Sequence, residues 1–586
     1  MSSPADLRAL EALCLPAAVM VNRSFQRAHA VTPSAPAAAD STAENDVLSA
    51  DHALRIGQQY YADGRIDEAI GAFRRGLDPA GAGADIATAS ELHAKLGNAY
   101  MRRGLLDLAG ENYKAALKLS PHLAACWCNL ATIQLKTGKA QDAIALYLEA
   151  LKLNPAHWAS RSNLAEALIA TRQHLVAKAL LLELAQERPQ DGQIRHRLGR
   201  ACFELNDTPA ALEHFEQAII LNAADAESYY WIGAIRQKLG ELEPAQTAYA
   251  RAAQIQPLIR RAAAKSPADF RVLALYAPFA GNTPAEYLFK DAPHDTDTLA
   301  LLGDGDVDAA ALGDVDVVVN LISDADQAEA VLPQAARLVE KLGKPVLNDP
   351  RKISRTTRDA VAALLPGIKG CRIPGIVRLD AGADVSVSAL SALLPFSCPV
   401  LARPAGTHGG EDFEKIEDLD ALSQFLAQRR DHDHYVIEYV DYASQDGYFR
   451  KYRFIFAGPE ILPYHLAIFD EWKVHHDSTD MANQSWMQRE EAAFLADPAA
   501  VFTPAHYEAL RAIRTRIGLD YFGIDCAIDA RGDLLVFEVN ASMLVHADNA
   551  EFPYKDQAVR AIKQAFDAML RQRAVPLVPA PLLSPQ

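Results

Sequence analysis

Residues 90–123 read SELHAKLGNAYMRRGLLDLAGENYKAALKLSPHL, and the same spacing of small, large and helix-stopping residues returns every 34 residues as far as Pro257. Small residues hold the eighth place of each unit (Gly97, Ala131, Ala165, Gly199, Gly233) and the twentieth (Ala109, Ala143, Ala177, Ala211, Ala245). Large residues hold the twenty-fourth (Tyr113, Tyr147, Leu181, Phe215, Tyr249), and Pro121, Pro155, Pro189 and Pro257 close most units. Small positions let two antiparallel helices approach, large ones fill the gap to the next pair, and proline stops the second helix. A further unit at 50–83, with Gly57, Tyr60, Gly64, Ala69 and Phe73, stands 40 residues ahead because of a Gly/Ala insertion at Gly81–Ala87. Six units result.

This register resembles the tetratricopeptide repeat. The resemblance implies an all-α superhelix over residues 50–259 and a protein or peptide partner in its groove, without naming that partner. Trp127, Trp158, Tyr229, Tyr230 and Trp231 are read as packing between helices, as are Cys126 and Cys128, two apart on one helix.

At 586 residues the chain exceeds a single core, and half its residues are hydrophobic. A net charge of −17 excludes a protein that coats nucleic acid, which needs clustered Lys and Arg. Seven scattered cysteines without paired metal spacing (Cys14, Cys126, Cys128, Cys202, Cys371, Cys398, Cys526) predict reduced thiols in a cytoplasmic compartment. No apolar run approaches a membrane span, and Leu10–Val21 lacks the basic leader of a secretory signal. Residues 1–49 read as a flexible leader, 260–268 as a linker and 575–586 as a Pro-rich tail.

The second half alternates strands and helices: Phe270–Tyr276, Val315–Ile322, a helix near Gln327–Leu342, then Lys344–Asn348. A small, mainly parallel α/β sheet over 269–365 is expected. Near the end, Tyr521–Asp529 and Leu534–Ser542 flank a turn at Arg531–Asp533. Alternation gives Asp525 and Asp529 one parity and Glu538 and Asn540 one parity, so a hairpin can gather oxygen-bearing side chains. Burying them amid Val536, Phe537 and Val539 is costly without a cation, and hard Mg2+ takes such oxygens.

Here the sequence resembles the ATP-grasp superfamily, especially ligases of the glutathione synthetase and ribosomal-protein glutamate-ligase type. The fold implied is multidomain: the all-α tetratricopeptide superhelix, an α/β pre-grasp domain (269–365) and an α+β ATP-grasp domain (366–574). By the resemblance, Asp525, Glu538 and Asn540 hold Mg2+ or Mn2+. Arg403, in Cys398–Pro404, stands where the family has a nucleotide lysine, followed by a phosphate loop at Gly406, Thr407, His408, Gly409 and Gly410. Glu438, Tyr439 and Val440 correspond to the hinge that meets adenine, and Arg453 to the cation facing the reacting phosphate. His465 and Lys473, in an aromatic and basic stretch, are candidate catalytic residues lining the substrate pocket; adjacent His475 and His476 do not suit one helix face of a zinc site.

Two departures stand out. Ala360 replaces a family lysine, for which Lys352, Arg355 or Arg358 could substitute, and Met543-Leu544 replaces Pro-Gly. The implied reaction is ATP-driven joining of a carboxylate and an amine through an acyl phosphate. The alternatives are an interaction scaffold with a degenerate nucleotide-binding domain, and phosphoryl transfer that stops at a phosphorylated small molecule.

Overall fold

The computed structural model describes residues 49–78, 84–265, 267–303, 307–406, 412–474, 479–541, 543–545, 549 and 551–575. Most of the expected leader and tail, and Thr407–Gly410, His475 and His476, lie outside the described residues. The chain divides into two compact units that meet in sequence at Ile255/Gln256.

The first unit is all helical and comprises six helix pairs: Ala50–Ala62 with Ile66–Gly76, Ile86–Arg102 with Leu106–Leu119, Ala124–Lys136 with Ala140–Leu153, Trp158–Ala170 with His174–Glu187, Gly192–Glu204 with Thr208–Leu221, and Ala226–Lys238 with Leu242–Ile255. Asp85, Asp191, Asp207 and Asp225 cap helix N-termini by accepting from backbone N–H groups. The small eighth position has a direct physical reason. A Cβ built on Gly199 would stand 2.8 Å from the Phe215 ring carbons. Gly199→Ala is therefore expected to destabilise this unit by about 1–3 kcal/mol, read as a lower urea midpoint by circular dichroism. Trp231 stacks on Phe215 at 5.5 Å and is buried, as packing requires.

A polar ladder links the first helices of neighbouring pairs. Asn129 Nδ2 donates to Asn98 Oδ1 at 3.0 Å, and Tyr113 Oη donates to the same oxygen at 2.7 Å. One pair later, Thr132 Oγ1 meets Tyr147 Oη at 3.0 Å and accepts from Asn163 Nδ2 at 3.4 Å. At the next step Leu181 replaces the tyrosine and the ladder becomes ionic. Glu166 faces Arg197 Nε at 3.2 Å and accepts from Arg200 Nη1 at 2.7 Å, with all three side chains buried. Burial works to raise the Glu166 pKa, but Arg200 and Arg197 outweigh it and hold the carboxyl below its ordinary value.

The second unit is mixed α/β with three sheets among its described residues. The first contains β1 (Leu258–Arg261), β2 (Arg271–Tyr276), β3 (Asp295–Ala300), β4 (Val317–Asn320) and β5 (Val346–Leu347), in the order β1-β3-β2-β4-β5. β2 to β5 are parallel, and β1 runs antiparallel to β3. The stretch expected to close the repeats and open a linker at Arg260 thus begins with a strand: Ile259 is buried in register with Thr298, which draws the segment into the sheet. The helix expected from Gln327 starts at Leu332, where Pro333 supplies its first turn.

The other sheets follow. β7 (Ile376–Leu379), β8 (Val400–Pro404), β9 (Glu414–Ile416) and β10 (His434–Glu438) form an antiparallel sheet ordered β7-β10-β8-β9. β6 (Cys371–Arg372), β11 (Phe449–Ala457), β12 (Glu460–Phe469), β13 (Tyr521–Ile528) and β14 (Leu534–Asn540) form the last, ordered β12-β11-β13-β14-β6. The boundary expected at residue 365 does not interrupt the core. Ile353, Val361 and Leu365 pack in one cluster with Phe454, Phe456, Phe522 and Ile524 of the last sheet. Asn348, with φ 57°, donates to the Tyr521 carbonyl at 2.6 Å and accepts from Asp520 and Tyr521 N–H, fixing the start of β13.

Candidate functional site

Cross-strand register decides which side chains meet. His465 of β12 pairs with Arg453 of β11, Arg453 with Asp525 of β13, and Asp525 with Glu538 of β14. Four chemistry-bearing residues therefore lie in one row across four strands. Asn540 pairs with Gly523, two positions along the same strands.

Two β-bulges make this row. Tyr464 is the extra residue between Pro463, opposite Phe454, and His465, opposite Arg453. Phe537 is the extra residue between Val536, opposite Cys526, and Glu538, opposite Asp525. Without the second bulge Glu538 would share a face with Val536 and Leu534, both in the hydrophobic core. The bulge re-aims it to the face of Asp525.

Asp525 is buried, and both its oxygens accept from Arg453, Nε to Oδ1 at 2.7 Å and Nη2 to Oδ2 at 3.0 Å. Lys451 Nζ lies 3.5 Å from Oδ2. Burial opposes ionisation, but Arg453 and Lys451 hold the carboxyl far below its ordinary range. Glu538 Oε2 accepts from Arg358 Nη2 at 2.7 Å. Of the three basic residues named beside Ala360, one reaches this row. Lys352 donates to the Gly518 carbonyl and Arg355 to the Ile517 carbonyl, both structural contacts, whereas Arg358 alone of the three reaches the acidic row.

Asp529 stands apart from the row. Its Oδ1 accepts from the Arg531 and Asp533 N–H groups and shapes the turn between β13 and β14. Met543, in place of the expected Pro-Gly, is buried over Gly523, where a Cβ would come within 2.3 Å of its Cγ.

A second group gathers aromatic and cationic residues. Arg403 of β8 is buried and lies 5.3 Å from the centre of the Phe413 ring, which meets Trp472 edge-on at 5.4 Å. Lys473 Nζ donates to the Phe413 carbonyl at 3.1 Å. Tyr439 meets Trp472 at 6.3 Å and carries Lys415 over its ring at 4.2 Å. Val440 is buried with Tyr442, Ala467, Val474, Ala527 and Leu535, a cluster drawn from residues beside β10 and from the last sheet. Gly406 has φ 71°, and its carbonyl accepts from Gln327 Nε2 at 2.9 Å. The Glu438 carboxylate is engaged locally, by Gly375 N–H at 2.9 Å and Arg372 at 3.2 Å, and its own N–H donates to the Gly375 carbonyl at 2.8 Å.

Sequence reading passed over Glu491, Tyr554 and Lys555 and took Lys451 for a solvated residue; Lys451 lies against Asp525, Glu491 and Lys555 against His465, and Tyr554 against Glu491. One signal was available: Met487, Glu491 and Phe494 fall on one stripe of the helix Ser485–Ala496, placing a carboxylate among core positions. Among the described residues no cluster of three or more His, Cys, Asp or Glu has metal-site geometry, and no helix is long and apolar enough to cross a membrane.

Comparison with known proteins reaches the first unit. Residues 90–123, 128–192 and 226–257 match tetratricopeptide repeat families, and residues 199–240 match a TPR repeat family. The helix pairs from residue 90 to Pro257 are tetratricopeptide repeats. No curated protein matches the chain. Among solved structures, MamA from Desulfovibrio magneticus RS-1 is 17% identical, with 30% of this chain and 96% of that one covered and a TM-score of 0.27. YrrB, described as a TPR protein with an unusual peptide-binding site, is 15% identical over 31% of this chain and 91% of its own, with a TM-score of 0.27. PilF of Pseudomonas aeruginosa is 16% identical over 36% and 92%, with a TM-score of 0.31.

Proposed function

We propose that the second unit is an ATP-grasp module that joins a carboxylate to an amine at the expense of magnesium-ATP, and that the repeats recruit its protein or peptide substrate. The observation that carries this reading is the row His465–Arg453–Asp525–Glu538, with Asn540 alongside. Asp525, Glu538 and Asn540 offer oxygen donors only, and Asp525 is held ionised, a donor set that fits Mg2+ or Mn2+. When bound, the metal would neutralise charge on the nucleotide phosphates. Arg453 would turn from Asp525 to the transferring phosphoryl group, where a preplaced cation stabilises developing charge. Arg358 and the buried Arg403 would supply further phosphate contacts, Arg403 by its two-pronged guanidinium. Tyr439, Val440 and Trp472 would enclose the base, leaving main-chain groups after β10 to read its edge.

Calorimetry with MgATP tests this. The native chain is expected to bind, and Glu538→Ala/Asn540→Ala to lose binding at millimolar nucleotide. A folded native chain that gives no heat overturns the reading.

One observation favours a second reading. Arg453 grips Asp525 at two points and Arg358 pairs with Glu538, so the acids are satisfied by the chain's own cations. A tetratricopeptide scaffold carrying a catalytically degenerate domain would look like this. ATP turnover that depends on added carboxylate and amine separates the two.

A further inference from the structure

The helix Ser485–Ala496 carries Glu491 into the core between Met487 and Phe494, leaving it 0% exposed. Its oxygens are then fully used. Oε1 accepts from Leu466 N–H at 3.1 Å and Lys555 Nζ at 2.9 Å, and Oε2 accepts from Tyr554 Oη at 2.7 Å. Oε1 also lies 2.5 Å from His465 Nδ1.

A contact that short between a ring nitrogen and a carboxylate needs a proton between them, which places the histidine proton on Nδ1. Lys555 Nζ stands 3.1 Å from the same nitrogen and has the nearer acceptor in Glu491. Nε2 is then left with its lone pair, since among the described residues both ring hydrogen bonds are to Nδ1. The β12 bulge sets His465 beside Arg453, its cross-strand partner, and so beside the acidic row. The charged groups around the ring are Glu491, Lys555, Arg453 and, beyond Arg453, Asp525. Burial, with Lys555, holds the ring below its ordinary pKa, which keeps Nε2 unprotonated near neutrality.

Resting on the ligase reading, the geometry points to His465 Nε2 as the acceptor of the attacking amine's proton, with Glu491 as the positioning residue that fixes its tautomer. The amine lone pair forms the N–C bond at the acyl carbon of the acyl phosphate. The C–O bond to phosphate breaks, with its electron pair leaving on phosphate. The amine N–H proton passes to Nε2, and Glu491 faces the imidazolium so formed. No group bonded to the protein is required.

Nitrogen NMR of the chain labelled with 15N at histidine tests this, with His465 assigned by the signal lost in His465→Gln. From about pH 6 to 8 the native ring is expected to be protonated on Nδ1 and bare on Nε2. Lys555→Met is expected to leave that tautomer in place, because the lysine is not its source. Glu491→Gln is expected to shift the ring toward protonated Nε2. A native ring with Nε2 protonated, a tautomer that flips in Lys555→Met, or a ring indifferent to Glu491→Gln overturns the assignment. If Glu491→Gln does not fold, the native chain and Lys555→Met still decide. MgATP calorimetry on the native sample separates the two levels: no binding with the expected tautomer sinks the ligase reading, while the wrong tautomer in a chain that binds sinks only the role of His465.

Discussion

Glu166→Ala is expected to lower the stability of the repeat unit by about 3–5 kcal/mol, because it strips the shared carboxylate from two buried guanidinium groups. Arg197 and Arg200 would remain with 6% and 4% exposure, one beside the vacated oxygen position and one having lost its 2.7 Å hydrogen bond. Arg197 keeps the Ser162 carbonyl at 3.0 Å, a dipole that does not replace a charge. Urea unfolding followed by circular dichroism would show a lower midpoint. The cause is separable from mere truncation: Glu166→Met combined with Arg197→Met and Arg200→Leu should recover most of the loss, since an apolar replacement of a whole buried ionic group is often neutral or stabilising. A single variant near native stability would mean that water reaches the group.

Acid is expected to weaken the second unit through Glu491. Burial alone would raise its pKa, but His465, Lys555 and Tyr554 reverse that and hold the folded-state value at about 2 against an ordinary 4.5. A folded-state pKa below the unfolded one gives stability that is complete above the unfolded value and is lost as pH falls toward the folded one. Between pH 4.5 and about 2 this amounts to about 3 kcal/mol. Protonation also places a hydrogen on one of the two oxygens that four donors share. Peptide-resolved hydrogen exchange under urea, over residues 449–469 and 485–496, would follow the loss. Glu491→Gln should be less stable than native at neutral pH and nearly flat across the window. A native chain with no slope there would show the carboxyl already neutral in the fold.

The repeats were open to sequence reading because their signal is steric and periodic. Gly199 and Phe215 must co-vary in size, and five units repeat that constraint in register. The ionic step of the ladder escaped, since Glu166, Arg197 and Arg200 individually look like solvated helix residues. Only the loss of the tyrosine at Leu181 hints that the ladder changes there. β1 escaped for a different reason: Leu258-Ile259-Arg260-Arg261 is short, follows Pro257 and carries two arginines, and only its pairing with β3 makes it a strand.

At the candidate site, the choice of Asp525, Glu538 and Asn540 came from the ATP-grasp resemblance, and alternation alone did not separate Asp525 from Asp529. Strict period-two reading groups Asp525 with Asp529 and sends Glu538 to the side of Val536. Asp529 instead closes the turn, and Phe537 breaks the alternation. A bulge is a property of two strands in register, so one strand's sequence does not reveal it. Likewise the roles of Arg358 and Lys555, 180 and 90 residues from Glu538 and His465, arise only from tertiary approach.

The Phe537 bulge also makes β14 a strand with two reading phases. Leu534 and Val536 belong to the core by one parity, Glu538 and Asn540 to the acidic row by the other, and Phe537 is the residue where the phase changes. The Asp529–Asp533 turn, held through Asp529 Oδ1, sets the register of the core half. Loss of the single residue at 537 would keep the hairpin, its composition and all its acids, yet exchange inside for outside along half the strand. The acid thus depends on a chain length one residue before it, a constraint that no substitution could reveal.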